Sequence, residues 1–447
     1  MIKIQLPSAV RYIIETIEQA GFEAYAVGGC VRDSILGRIP DDWDITTSAK
    51  PEDIKRIFRH TVDTGIQHGT VTVLINKECY EVTTYRIDGE YEDSRHPKEV
   101  IFTPLLAEDL KRRDFTINAM AYNDTKGIID LFGGREDLKA RVIRCVGNPI
   151  ERFGEDALRI MRAVRFSAQL GYQIEAKTEE AIKELAHTLK HISVERIQVE
   201  LVKLLVSSHP GYVLKLYELG LTKIFLPEFD LMMNTPQNNR HHSYSVGLHT
   251  VKALELTKCD KIVRLTILLH DVGKPKTKST DEIGIDHFNG HPNMGSEMAR
   301  EILKRLRFDN DTIDRVSLLV LYHDYGNAIS ATPAFTRRLI HRVKLENFPS
   351  LLEVKRVDVL AQSELDRDKK IEKLVSLNAA YQEVLEKGLC VSLKELAVSG
   401  SDLIQAGMKP GQELGKVLKL LLDEVLEEPK LNQKEILIEL TKRWGYI

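Results

Sequence analysis

Apolar positions change their period once along this chain, near Asn148-Pro149. Before that point, EAYAVGG (23–29), DWDITT (42–47), GTVTVLI (69–75), CYEVTTYRI (79–87) and VIRCV (142–146) are β-branched or aromatic runs of strand length. A strand-like start and an amphipathic helix precede them, up to about residue 20. FTINAMA (115–121) reads as a buried helix, and Asp88–Lys98 as a polar, charged loop ending at a proline. After Pro149 the spacing is helical. EDALRIMRAVRFSAQL (155–170) reads as one helix, followed by TEEAIKELAHTLKHI (178–192) and by SVERIQVELVKLLV (193–206), which opens on a Ser N-cap. Breaks fall at Leu226-Pro227 through Arg240, in the loop-rich stretch 270–296, and at GMKPGQ (407–412). The prediction is an α+β chain: a β-sheet head over 1–147, then helical regions at 148–228, 229–370 and 371–447.

Composition narrows the class. The 447 residues are 43% hydrophobic and 29% charged, which excludes a disordered or collagen-like chain. A net charge of −3 excludes a polybasic binder, and leaves nucleic acid as a partner only through local patches. Five scattered cysteines without a CxxC pair read as reduced thiols of a cytoplasmic protein. There is no apolar run long enough to span a membrane, and MIKIQLPSAVRYII lacks the features of a signal peptide.

Candidate chemistry begins in the head. Gly28-Gly29 stands between a strand and a helix-like VRDSIL, where a bare backbone can approach a triphosphate; the same pair also marks an ordinary turn. Asp42 and Asp44 alternate in a strand-like run, so both face one side and suit Mg²⁺ shared with substrate phosphates. Such a site activates a hydroxyl and stabilises leaving pyrophosphate with two metals. Glu81 is the candidate third carboxylate, or a plain surface residue of its strand. Lys111-Arg112-Arg113 is either a triphosphate or ribose anchor or a solvated cluster, with Asn118 following at a site edge.

GGCVRDSILGRIPDDWDITT (28–47), TGIQHGTVTV (64–73), RRDFTINAMAYN (112–123) and EDALRIMRAVRF (155–166) together resemble the class II tRNA nucleotidyltransferases, the CCA-adding enzymes, and their relatives the bacterial poly(A) polymerases. The resemblance covers about residues 23–200 in family order. It implies a nucleotidyltransferase head joined to a helical neck, body and tail. It also implies that Gly28, Gly29, Arg32 and Arg113 hold triphosphate and ribose.

On the helix expected at 155–170, Asp156 and Arg159 share a face at i, i+3, with Arg162 and Arg165 drifting along it. An exposed ion pair is the plain reading, but the chemistry offers a sharper one. Asp only accepts and Arg only donates, which matches the amino group and ring nitrogen of cytosine and adenine alike. Uracil and guanine leave these groups unpaired. The resemblance implies this role for Asp156 and Arg159, toward CTP and ATP, and a bracing role for Ser193-Val194-Glu195-Arg196-Ile197. Members that add only CC lack most of the loop that this chain carries at 88–98. Poly(A) polymerases end in a basic tail, whereas residues 401–447 carry seven Lys and Arg against eight Asp and Glu.

A second constellation lies further on: His249, His270-Asp271, His291, His323 and Asp358. LLHDVGK and VKRVDVLAQSE carry its most specific parts, and the order resembles the HD phosphohydrolase superfamily over about 240–360. The donor set suits Mn²⁺, Fe²⁺, Co²⁺ or Ni²⁺ and metal-assisted cleavage of a phosphoester. Asp324 rivals Asp358 as the last ligand, and Lys274, Lys276 and Lys278 are phosphate holders or a solvated loop. The basic cluster Arg337, Arg338, Arg342 and Lys344 reads as a solvated helix face, or as a contact to a tRNA stem.

The combined expectation is CCA addition to the 3′ end of tRNA from CTP and ATP without a nucleic acid template. The family resemblance implies that the helical regions grip the upper half of tRNA by shape. Two rivals remain: a poly(A) or A-only polymerase, and an HD phosphohydrolase whose head merely binds RNA.

Overall fold

The β-branched runs pair into strands, which in chain order are β1 (Ala24–Val27), β2 (Ile45–Thr47), β3 (Thr61–Gly65), β4 (Thr70–Ile75), β5 (Glu78–Thr84), β6 (Arg86–Asp88), β7 (Val100–Phe102), β8 (Met120–Asn123) and β9 (Gly127–Asp130). Seven of them form one sheet in the order β3-β4-β5-β2-β1-β8-β9. Its one parallel pairing, β2 with β5, sets Ile45 beside Val82 and Thr46 beside Thr83. This is a computed structural model, and it describes residues 3–89, 100–240, 244–326 and 332–447. Residues 90–98 of the charged loop read from the sequence lie outside the described residues.

The helices of the first part are α1 (Ser8–Gln19), α2 (Gly29–Ile35), α3 (Pro51–Ile57), α4 (Leu106–Lys111), α5 (Gly134–Ala140), α6 (Pro149–Glu155), α7 (Leu158–Leu170), α8 (Ala176–Leu185) and α9 (Val194–Leu205). α1 buries Val10, Ile13, Ile14 and Ile17, an i, i+3, i+4, i+7 stripe. α4 sets Leu106 and Leu110 against Tyr25, Val27 and Ala121 of the sheet and against Tyr85, which follows β5. The chain forms two compact units, Met1–Phe225 and Leu226–Ile447, so the sheet and α1–α9 belong to one unit. The second is helical apart from two short strands.

Several expectations fail locally, three of them for a reason visible in the fold. FTINAMA is not a helix. Thr116–Asn118 form a single 3-10 turn, and Met120 opens β8, paired on both sides by β1 and β9. All four residues of β8 are buried, so the run is apolar without alternation and its period cannot separate strand from helix. Second, no single helix runs over 155–170. Asp156 is extended (φ −139°, ψ 103°) between α6 and α7. Its Oδ1 accepts the Leu158 N–H at 3.0 Å, a local bond that competes with helix continuation. Third, Arg337 is not on a solvated face. It is buried and donates to the carbonyls of Leu426 and Glu427 at 2.7 Å, closing the end of helix Gln412–Glu427. Among the described residues, no helix is long and apolar enough to cross a membrane.

Candidate functional site

A cleft of about 430 Å³ opens in the first unit. Gly28, Gly29, Arg32, Asp44, Arg113, Asn118, Asp156, Arg159, Arg162 and Arg165, all singled out in the sequence, line it. The lining also includes Arg112, Asp114, Leu158, Phe166 and Arg196.

β1 delivers the chain into Gly28, whose φ of 85° and ψ of −131° belong to glycine. A Cβ there would come within 3.0 Å of Arg113 Nη1, so the bare backbone and this guanidinium share one spot. Asp44 immediately precedes β2, and its carbonyl accepts the Val27 N–H at 3.0 Å, holding it across from β1. The regular strand begins only at Ile45, later than the sequence suggested. The Asp44 side chain opens to solvent, yet the protein mass around the cleft raises its carboxyl; Arg113 opposes this and neighbouring Asp42 adds to it. Asp42 and Glu81 are exposed and do not line the cleft. Glu81 occupies the β5 position beside Asp44, one step before the Ile45–Val82 pair.

Buried acids fix the arginines. Asp114 takes Arg162 on Oδ2 at 2.6 Å and the Asn118 amide on Oδ1 at 3.1 Å, while Asn118 Oδ1 accepts Arg32 Nη1 at 2.7 Å. Burial raises the Asp114 carboxyl, but Arg162, Asn118 and Arg159 together hold it well below the usual range. The Phe166 ring lies under Arg165 at 3.5 Å, Arg32 at 5.0 Å and Arg162 at 5.4 Å, an aromatic floor for three cations. Arg165 is committed to Glu200 (2.8 Å) and Gln169 (2.9 Å).

Asp156 and Arg159 are not paired with each other. Asp156 Oδ2 accepts Arg196 at 2.8 Å, from α9. Arg159 donates to Glu155 at 2.5 Å and to the Arg112 carbonyl at 3.0 Å. What brings them to the cleft is therefore the break before α7, not a common helical face. Asp114 and Phe166 were missed; an acid directly after three basic residues was the available signal.

The second unit gathers the other set. His249, His270 and Asp358 form one buried group of potential ligands, and Asp271, His291 and His323 another. Helices Val246–Glu255 and Lys261–Leu269 bring His249 and the His270-Asp271 pair; helices His291–Arg305, Asn310–Tyr322 and Phe348–Ala361 bring the rest. His270, His291 and His323 each donate Nδ1–H to a backbone carbonyl at 2.7–2.8 Å, which turns the Nε2 lone pairs inward. Those lone pairs face one another: His249 and His270 Nε2 are 3.4 Å apart, His291 and His323 Nε2 3.3 Å. Asp271 divides its carboxylate, Oδ2 lying 3.2 Å from His270 and Oδ1 3.6 Å from His291. Asp358 Oδ1 is 2.9 Å from His249 Nε2. Burial holds the His291 imidazole down at about 4. Converging acceptors of this kind fit a cation. Of the three lysines, Lys274 reaches Asp271 at 2.7 Å, Lys278 binds Asp286, and Lys276 is exposed. Asp324 lines the cleft over this set, about 530 Å³, without joining it.

Comparison with known proteins adds three family matches. Residues 24–144 match the Poly A polymerase head domain. Residues 171–233 match the "Probable RNA and SrmB- binding site of polymerase A", and 287–441 the putative tRNA nucleotidyltransferase domain 2. A CCA-adding enzyme of Lactiplantibacillus plantarum is 38% identical over 452 residues, 99% of this chain and 98% of that one. The crystal structure of the Bacillus stearothermophilus CCA-adding enzyme in complex with CTP superimposes with a TM-score of 0.72 at 32% identity, covering 97% of this chain and 96% of that one. The Thermotoga maritima CCA-adding enzyme complexed with tRNA-CCA shares the fold, with a TM-score of 0.57 at 22% identity over 98% and 95% of the two chains.

Proposed function

We propose how this protein works from one premise: the chain belongs to the family of CCA-adding enzymes and is a tRNA nucleotidyltransferase. Its substrates are a tRNA lacking its 3′ end, CTP and ATP. The 3′-hydroxyl oxygen of the tRNA bonds to the α-phosphorus of the nucleotide, the bond to the bridging oxygen breaks, and pyrophosphate leaves. The observation that carries this reading is the single cleft where Gly28-Gly29, Asp44, Arg113, Asp156 and Arg159 converge.

Each residue has a task in it. Gly28 and Gly29 let the triphosphate lie against bare backbone, and Arg113 and Arg32 meet its charge. Asn118, held between Asp114 and Arg32, lines the nucleotide side of the cleft. Asp42 and Asp44 are the carboxylates that would hold Mg²⁺, because burial and the like charge of Asp42 raise the Asp44 carboxyl despite Arg113, and Glu81 occupies the neighbouring position of β5. Mg²⁺ held there, as one ion or two, would make the hydroxyl more acidic and would offset the charge of the leaving pyrophosphate. Asp156 accepts the amino group of C or A and Arg159 donates to the ring nitrogen. Arg162 and Arg165, fixed by Asp114 and Glu200, contribute charge at the wall of the cleft.

The division of labour follows the chain: nucleotidyltransferase head 1–147, base-selecting neck 148–228, HD body 229–370 and tail 371–447, with the helical regions gripping tRNA by shape in the cytoplasm. The acidic tail and the loop at 88–98 favour full CCA addition over poly(A) synthesis or A-only addition.

The histidine set supports a second activity, hydrolysis of a phosphoester. His249, His270 and Asp358, with Asp271, His291 and His323 packed against them, would hold a transition-metal ion. Mn²⁺, Fe²⁺, Co²⁺ or Ni²⁺ held there supplies Lewis acidity toward phosphate and a more acidic water. Lys274 beside Asp271 balances charge. A crossed pair of variants tests both sites. Asp42→Ala abolishes nucleotide addition and leaves hydrolysis of p-nitrophenyl phosphate by Mn²⁺-loaded protein intact; His270→Ala does the reverse. Nucleotide addition surviving in Asp42→Ala overturns the head assignment.

A further inference from the structure

One buried acid beside the nucleotide cleft has no part in the chemistry above. Asp109, in the short helix α4, has 0% exposure. Both of its oxygens are fully used. Oδ1 accepts Arg112 Nε at 2.9 Å and Nη2 at 2.7 Å. Oδ2 accepts the Thr46 hydroxyl at 3.0 Å and Arg113 Nη2 at 3.3 Å.

Each partner leads to a different part of the cleft. Thr46, in the middle of β2, lies two residues after Asp44, which leads into that strand. Arg113 points its other nitrogen to the space over Gly28. The carbonyl of Arg112 holds Arg159 Nη2 at 3.0 Å. Burying a carboxylate with two guanidiniums is a poor device for stability, because an apolar side chain of similar volume does as well. What the carboxylate adds is direction: two guanidiniums held at fixed angles to one strand.

We propose that Asp109 is a positioning residue for nucleotide transfer: it seats Arg113 over Gly28 and ties that seat, through Thr46, to the strand that follows Asp44 and to Arg159. This rests on reading the cleft as the nucleotide site. Arg113, so placed, meets the triphosphate, which CTP and ATP share. Loss of the seat therefore penalises both nucleotides equally instead of changing the choice between them.

Single-turnover addition of C to a tRNA lacking CCA, and of A to one ending in CC, tests this with wild type, Asp109→Asn, Arg113→Ala and the double variant, each rate referred to folded protein. Asp109→Asn loses on the order of 100-fold in kcat/KM for CTP and ATP alike, the scale of a misplaced reacting group. In the Arg113→Ala background the same change costs no more than about threefold, because the two act as one unit. Losses that multiply, or an Asp109→Asn within about twofold of wild type, overturn the proposal and leave the cleft reading standing. An Arg113→Ala with wild-type addition overturns both. If Asp109→Asn does not fold, Thr46→Val takes its place, since it removes only one donor to Oδ2. It loses about tenfold, again only when Arg113 is present, and a loss that persists in Arg113→Ala overturns the proposal.

Discussion

Adding one methyl group at Gly28 separates backbone strain from a disturbed cleft. Gly28 has φ 85° and ψ −131°, and a side chain there costs about 1–3 kcal/mol. At about 2 kcal/mol, a unit of this size melts roughly 4–8 °C lower. The new Cβ also stands 3.0 Å from Arg113 Nη1, so the guanidinium must retreat by a few tenths of an ångström. That shift moves it from the place proposed for the triphosphate and strains its 3.3 Å bond to Asp109. Gly28→Ala therefore loses on the order of 10-fold in single-turnover CTP addition, beyond its thermal effect, since a full 1 Å displacement costs about 100-fold. Gly37→Ala is the control, since Gly37 also has a positive φ (72°) but nothing within 4 Å of its would-be Cβ. It loses about 1 kcal/mol of stability and keeps its rate. Equal rates for Gly28→Ala and wild type, with Tm lowered alike in both variants, would refute the placement of Arg113.

Two further outcomes follow from other contacts. Arg196→Ala removes the 2.8 Å bond that holds Asp156; it lowers kcat/KM for CTP and ATP by about 10- to 100-fold and raises the share of UTP incorporated, read by gel at single-nucleotide resolution. Asp309 caps helix Asn310–Tyr322 through the N–H and hydroxyl of Thr312, bonds that lower its carboxyl to about 2. A depressed carboxylate stabilises above its unfolded pKa, so Asp309→Ala costs about 1 kcal/mol near neutral pH. That difference fades as pH falls from the ordinary carboxylate range through about 2, which urea midpoints across pH report.

The order of elements was legible because the hydrophobic period is local. Gly28-Gly29, the Asp42/Asp44 pair and the three basic residues ending at Arg113 could be read as candidates from spacing and residue type. The histidines and acids spread from His249 to Asp358 were recognisable through their order. Four things were not readable, each because a distant contact decides it. β8 is flanked by strands on both sides, which erases the alternation that marks a half-buried strand. The chain breaks at Asp156 because its side chain serves the Leu158 amide and Arg196, forty residues on. Nothing in the spacing singles out Asp109, and only the fold shows it buried between Thr46, Arg112 and Arg113. Arg337 misled in the same way, since nothing near it announces the carbonyls of Leu426 and Glu427.

The central claim is that one pocket without a nucleic acid template adds C, C and A. Its direct test incubates purified protein with Mg²⁺ and a tRNA transcript ending before CCA, giving CTP and ATP separately and together, with products resolved to one nucleotide. The account predicts two additions with CTP alone and a third only when ATP is also present. Long A-tracts made without CTP, or no addition with any nucleotide, would contradict it.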